Sequence, residues 1–408
     1  MNPSSLLKFQ IGPVQDFIAQ ARSTRDLWSG SYLLSWLVAA GIRELKRQGG
    51  SLIFPYDGEE CQPLLELPDS AKASDHKALL TPNLPNLFVA KVSSDAKDCA
   101  MELEKAIRAE WKAVAKSVWE QRAKIGLPDA AEARFNAQVD HHLSIAWQAT
   151  PLADDYKDAY LHNGWHLDAV RQTRDFNAWQ SFTGPNEKDS LSGKEEALIC
   201  GDDIKGEWKF LFKHADYLGA VAIIKRVWHL AHLQPVHSLK CDHHQHFIRS
   251  IPAIAARQDE HDDDRSPEET SSGEKYIAAI AFDGDKIGKW VNGDFLPVGE
   301  SLERHHSAFS QALSHFALRK VREIVEGSPD KFRWTVLLLI HAIEFARSQG
   351  RGTPAASRRR PARPRRGCSS RRRRHASRRP GRSSSGRKPW TPPDRRDCLR
   401  GRERRAPQ

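Results

Sequence analysis

The 408 residues carry 63 Lys+Arg against 52 Asp+Glu, a formal net charge of +11. That length allows two or more domains with real cores, and no stretch resembles a signal peptide or membrane span, so a cytoplasmic protein with no membrane partner is expected. The charge is unevenly placed: residues 351–408 hold 22 Lys+Arg against 3 Asp+Glu, leaving 41 against 49 for residues 1–350. The globular part is mildly acidic, and the basicity that would suggest nucleic acid sits in an Arg, Ser, Pro and Gly tail too poor in apolar residues to fold. Six cysteines, at 61, 99, 200, 241, 368 and 398, show no zinc-finger or redox spacing, which reads as free thiols in a reducing compartment.

In chain order, Leu7, Phe9 and Ile11 alternate with Lys8 and Gln10 as a strand that Gly12-Pro13 stops. Val14, Phe17, Ile18 and Ala21 then fall at helical spacing, and a second helix follows with Ser29 and Ser31 as candidate caps and Leu34, Leu37, Val38, Ile42 and Leu45 as its buried stripe. Short strands are expected at Ser51 to Pro55 and Leu87 to Val92. Strand, helix and paired strands suggest a ferredoxin-like α+β unit over residues 1–94.

From Asp95 to about Lys124 the pattern is helical, with Ala100, Leu103, Ile107, Trp111, Val114 and Val118 on one side, and residues 130–235 read as mainly helical. A helical insert therefore spans 95–256, and 257–273 is an acidic, Ser-rich linker. A second strand, Tyr276 to Phe282, ends in Asp283-Gly284-Asp285. Two carboxylates one residue apart at a strand tip can hold a divalent metal, and the glycine lets the backbone approach a phosphate. An Asp-Gly turn between two strands is the plainer alternative. Beyond Ile287-Gly288-Lys289-Trp290, a helix carries Leu302, His306, Phe309, Leu313, Phe316 and Ile324 on one face.

The run from Phe9 to Ser35, FQIGPVQDFIAQARSTRDLWSGSYLLS, resembles the first palm of the large polymerase-like subunit of type III-B CRISPR RNA-guided effector complexes, the Cmr subgroup. Leu84-Pro85-Asn86-Leu87-Phe88, the segment Asp189 to Leu198, and Phe282 to Trp290 look like later landmarks of that family, so the resemblance covers residues 1 to about 326. It implies an α+β protein with two ferredoxin-like, cyclase-like palms separated by a mainly helical, zinc-binding insert. It also implies ATP as substrate, Mg2+ or Mn2+ as cofactor, cyclic oligoadenylate as product, and the other complex subunits, guide RNA and target RNA as partners. On this resemblance Asp283 and Asp285 are the catalytic metal ligands. Gly12, Gln15, Arg22, Arg25, Ser31, Gly284 and Lys286 are nucleotide-binding candidates, the first five equally able to serve the strand-to-helix turn and its caps.

Three departures qualify the resemblance. Many members carry an N-terminal nuclease domain, whereas here the palm strand starts near Met1, so DNA cleavage by this chain is not expected; His261-Asp262 and Asp140-His141-His142 stand in the wrong places. Where the family has a zinc-binding cysteine pair this sequence has Asp189 and Ser192, weaker zinc donors, and no zinc is expected there. Cys200, Cys241, His243, His244 and His246 offer a replacement set or a plain surface cluster. A Gly-Gly-Asp-Asp hairpin should follow Glu326, but the chain runs instead into the Arg-rich tail, which leaves 274–350 as a partial second palm with impaired synthesis and 351–408 as a disordered extension of frame-shifted character, with an RNA-binding arm that neutralises phosphates as the other reading. Gly201-Asp202-Asp203 is similar only in letters, with no strand pair expected around it. A non-catalytic scaffold or RNA-binding subunit of the same complex, or a stand-alone nucleotide cyclase, are the alternative functions.

Overall fold

Strand β1 (Ser5–Gly12) lies at the centre of a four-stranded antiparallel sheet ordered β2-β3-β1-β4, with β2 at Ser51–Phe54, β3 at Leu87–Val92 and β4 at Ser144–Pro151. The computed structural model describes residues 4–58, 63–66, 79–93, 95–152, 155–173, 187–213, 215–239 and 285–320, all within one unit spanning Met1–Thr353. Phe9 faces Phe88 of β3 and Trp147 of β4 in register, and the Phe9 and Phe88 rings stack at 5.1 Å.

Both faces of the sheet are covered, which explains why Lys8 and Gln10 are buried along with their apolar neighbours. Leu7, Phe9 and Ile11 point into a core built with α2 (Thr24–Arg47) and α3 (Ala96–Glu120), which follow the short α1 (Gln15–Ala19). The same core takes in α7 (Ala220–Trp228), reached through α4 (Arg122–Ile125), α5 (Glu132–His142) and α6 (Tyr156–Gln172). Leu6, on the opposite face, packs with Leu87, Val89, Ile53 and Tyr160 of α6, and with Val291 and Leu302 of α9 (Ile287–Val291) and α10 (Leu302–His315). Between α7 and α9 the described chain continues through a π-helical turn, His229–Leu233, into α8 (Gln234–His237).

Helix α2 is buried continuously from Trp28 to Ile42, more than one apolar stripe requires. Its polar groups are satisfied inward: Trp28 Nε1 donates to the Leu80 carbonyl (2.8 Å), Tyr32 Oη to that of Leu79 (2.8 Å) and Ser35 Oγ to that of Leu84 (3.2 Å). Where α2 crosses α3, a Cβ on Gly41 would lie 2.8 Å from Ile107 Cδ1, so the glycine sets how closely the two helices approach.

The sequence-based strands at 51–55 and 87–92 and the helix from 95 correspond to β2, β3 and α3. Three readings change. Helix α2 starts at Thr24 with Ser23 as its cap, Oγ accepting from Asp26 N at 3.1 Å; Ser29 and Ser31, expected as caps, lie inside the helix and are buried. Residues 144–151, inside the stretch read as mainly helical, form edge strand β4. Ile199–Cys200 (β5) pairs antiparallel with Tyr217–Leu218 (β6), so Gly201-Asp202-Asp203, a 3-10 turn, does have a strand pair around it.

No described helix is long and apolar enough to cross a membrane.

Candidate functional site

The turn from β1 into α1 and α2 holds most of the nucleotide-binding candidates. Gly12 ends β1 opposite Ser144 of β4, and a Cβ there would sit 2.8 Å from Ser144 Oγ, so a larger residue would require the exposed Ser144 hydroxyl to turn away. The Gly12-Pro13 bond is cis. Gln15 opens α1 and is exposed; Arg25 is half-buried in the first turn of α2; Ser31 is 5% exposed, inside the helix.

Arg22 leads to a feature the sequence reading missed. Its backbone N–H donates to Asp26 Oδ2 (3.0 Å) and its Nε lies 3.6 Å from Asp216 Oδ1. Both carboxylates also meet Arg226 of α7: Nη2 donates to Asp216 Oδ2 at 2.9 Å, and Nε lies 3.5 Å from Asp26 Oδ2. Asp26, Asp216 and Arg226 are each under 10% exposed, so two acids and one arginine form an almost fully desolvated charge cluster linking the start of α2 to the strand before α7, with the exposed Arg22 at its edge. No local sequence signal joins positions 26, 216 and 226.

Lys225 adds a second buried cation against the same turn. Its ammonium donates to the carbonyls of Phe17 and, at 2.7 Å, Gln20, and sits 4.8 Å from the Phe17 ring. Burial pushes its pKa down to about 8, partly offset by Asp26. A Cβ on Gly30 would meet Lys225 Cε at 3.2 Å. Ser29 Oγ donates to the Lys225 carbonyl (2.5 Å) and accepts from Trp228 Nε1 (2.6 Å). The β1-to-α2 turn is thus held by carbonyl-to-ammonium and charge-paired contacts that fix its backbone, while Gln15 and Arg22 remain at the surface above it.

At the second candidate centre, Asp283 and Gly284 lie outside the described residues. Asp285 is exposed, and Lys286 follows in the left-handed region (φ 59°) as the residue before α9. A metal held by Asp283 and Asp285 would be held there by one described carboxylate. His261, Asp262, Cys241, His243, His244 and His246 are also outside the described residues.

Asp189, at the position where a zinc-binding cysteine is expected, is committed elsewhere. Oδ1 accepts from Leu191 N (2.9 Å) and Ser192 N (2.7 Å), and Oδ2 from Gly219 N (2.7 Å). Ser192 Oγ donates to Glu195 Oε2 (2.5 Å). A hydrogen-bonded turn closes this loop through Asp189. In the Asp140-His141-His142 run, Asp140 pairs with Lys112 at 2.9 Å, while His142 is enclosed between Phe17 and Trp111, ring centroids at 4.9 and 5.4 Å. Burial pushes the His142 pKa down to about 3, with Lys225 and Lys194 acting in the same direction.

Residues 6–116 match the family model for the N-terminal part of CRISPR-associated protein Cmr2. The N-terminal part of this chain is Cmr2-like. CRISPR system Cmr subunit Cmr2 of Pyrococcus furiosus is 35% identical over 106 residues, 26% of this chain and 12% of that protein, so the matched stretch is a small part of the relative's length. Among solved structures, a type III-B Cmr-beta complex in its apo state aligns with TM-score 0.42 and 13% identity over 55% of this chain and 32% of that one. The same complex bound to cognate target RNA aligns with TM-score 0.39, at the same identity and coverage. The Cmr2-like segment, from Leu6 in β1 to Lys116 in α3, contains Gly12, Gln15, Arg22, Arg25, Ser31 and Asp26, whereas Asp216, Lys225 and Arg226 come from beyond it.

Proposed function

We propose that this chain serves as a Cmr2-type large subunit of a type III-B CRISPR effector complex, assembled with the other complex subunits, guide RNA and target RNA. The observation that carries this is the family match over residues 6–116, which falls on β1, the glycine-proline turn, α2, β2, β3 and most of α3. The strand order supports a ferredoxin-like palm: β1 and β2 are joined through α1 and α2 with β3 inserted antiparallel between them, and β3 and β4 are joined through α3 to α5 across β1.

On this reading the β1–α1 turn faces ATP, with Gly12 admitting the close backbone approach and Gln15, Arg22 and Arg25 on the nucleotide side. Asp283 and Asp285, flanked by Gly284 and Lys286, hold Mg2+ or Mn2+. The ion would lower the pKa of the attacking ribose hydroxyl and neutralise charge on the α-phosphate. Ser31, being buried, serves the helix packing rather than the ligand. These 408 residues contain no Gly-Gly-Asp-Asp, so the second half of a two-metal site is missing from them and cyclic oligoadenylate synthesis is impaired. A non-catalytic scaffold in the same complex is the second reading, favoured by the same missing motif.

The test is co-expression with the remaining type III-B subunits and a guide RNA, followed by affinity capture on one of those subunits. Stoichiometric recovery of this chain is expected, and it should be lost on Arg226→Ala, which unties α2 from α7. Failure of the intact, folded chain to enter the complex overturns the proposal.

A further inference from the structure

Away from the sheet end, Glu110 of α3, His232 of the π-helical turn and His237 of α8 place one ligand atom each within 4.8 Å of one another. His232 is 3% exposed, and its Nε2 has no hydrogen-bond partner. Its other nitrogen lies 2.9 Å from Ser117 Oγ, which is also 3.1 Å from the Ala113 carbonyl; with the serine proton on that carbonyl, Nδ1–H is the donor to Ser117 and the neutral ring is bare at Nε2. In that tautomer Nε2 presents a lone pair, 3.7 Å from Glu110 Oε1. The imidazole nitrogen and the carboxylate oxygen face each other with no hydrogen bond between them, a pair that either a proton on Nε2 or a cation held between the two would join.

We propose that Glu110, His232 and His237 form a binding site for a divalent transition-metal ion of the zinc class. Nitrogen and carboxylate donors in a two-to-one set suit such an ion, and 3.7 Å is close to the roughly 3.4 Å ligand–ligand edge of a tetrahedron built on bonds of about 2.1 Å. The surroundings supply orienting contacts of the kind metal ligands have. Trp36 Nε1 donates to Glu110 Oε1 (2.6 Å), Ser117 holds His232, and the Trp36 ring packs edge-on to His237 at 4.7 Å. His232 also sits in a π-helical turn, a local irregularity that re-aims side chains and recurs at functional sites. Arg43, engaged at the Leu64 carbonyl (3.0 Å), also acts on Glu110 and moderates the negative charge available to the ion. With Glu110 partly exposed, a fourth position is open to water. The ion would fasten α3 to the π turn and α8, independently of whether the chain enters a CRISPR complex.

The experiment uses the full chain, stripped with a chelator and titrated with Zn2+ against a chromophoric competitor, then with Co2+ for its visible ligand-field spectrum. One equivalent is expected, weakened at least about 10-fold by Glu110→Gln and by His237→Asn and unaffected by combined alanine replacement of His243, His244 and His246. As a readout on the unmutated chain, bound Zn2+ should protect the partly exposed His237 from diethyl pyrocarbonate. Absence of stoichiometric binding, binding that survives both single variants, binding abolished by the His243, His244 and His246 replacements, or an unprotected His237 would each overturn the proposal.

Discussion

Arg226 is the residue on which the buried charges of this fold converge. It touches Asp26 and Asp216 at 3.5 and 2.9 Å with almost no solvent to screen them, and removing it leaves two carboxylates facing each other's charge in a low-dielectric interior. Arg226→Met should therefore lower unfolding free energy by about 3–5 kcal/mol in urea titration, whereas replacing Arg226, Asp26 and Asp216 together by apolar residues of similar volume should cost far less. Equal losses in the two variants would mean that packing, not charge pairing, is what Arg226 supplies. A pH effect also belongs to this scale. Burial pushes the pKa of His142 down to about 3 and that of His306 down to about 4; for His306 the Val291 carbonyl opposes the shift, while Lys8 and His305 add to it. Each group is depressed below its ordinary 6.5, so the unfolded chain binds more protons at mildly acid pH. Stability is fully present above pH 6.5 and falls from there towards pH 4, by about 1.4 kcal/mol per pH unit per group. His306→Gln should flatten that slope by one proton. An unchanged slope would remove His306 as a source.

At the scale of elements, the sequence disclosed those whose burial follows one period and hid those whose partners are distant. The alternation in β1, the β-branched and aromatic run of β3 and the long apolar stripe of α3 were all legible. Strand β4 was not: Ile145, Trp147 and Ala149 do alternate along Ser144 to Pro151, but the run is half-buried throughout and lies between two helical stretches, with which it was read. The cap of α2 was misassigned for a related reason: Ser29 and Ser31 look polar enough to lie at an end, yet Ser29 finds its partners in α7, nearly 200 positions away. The candidate site divides in the same way. Gly12 and its turn could be read locally, whereas the Arg226 network and the Glu110, His232 and His237 cluster depend on helix packing. That packing can be tested at the α2–α3 crossing. Gly41→Ala would bring Cβ to 2.8 Å from Ile107 Cδ1 and should destabilise by about 1–3 kcal/mol, with much of the loss recovered by adding Ile107→Val. Additive losses in the double variant would show that the two helices are not in contact through this pair.

For the whole molecule, the sheet separates two chemistries. One face meets α2, α3 and α7, the side on which the buried charge network secures the β1-to-α2 turn. The other meets α6, α9 and α10, where Lys8 donates to the Tyr160 carbonyl at 2.8 Å, Tyr156 Oη donates to His306 Nδ1 at 2.9 Å and Lys91 pairs with Glu303 at 2.7 Å. The segment carrying Asp285 is thus anchored to the sheet by its own contacts and is positioned without help from the β1 turn. Position is not sufficient for two-metal chemistry, which needs carboxylates on both sides of the reacting phosphate. The chain assembled with guide and target RNA should accordingly bind ATP weakly and form no cyclic oligoadenylate above background in a radiolabelled ATP assay, and Asp283→Ala should leave that background unchanged. Product formed by the unmutated chain and abolished by that substitution would mean that another subunit or segment supplies the missing carboxylates, and the scaffold reading would then give way to that of a working polymerase-like enzyme.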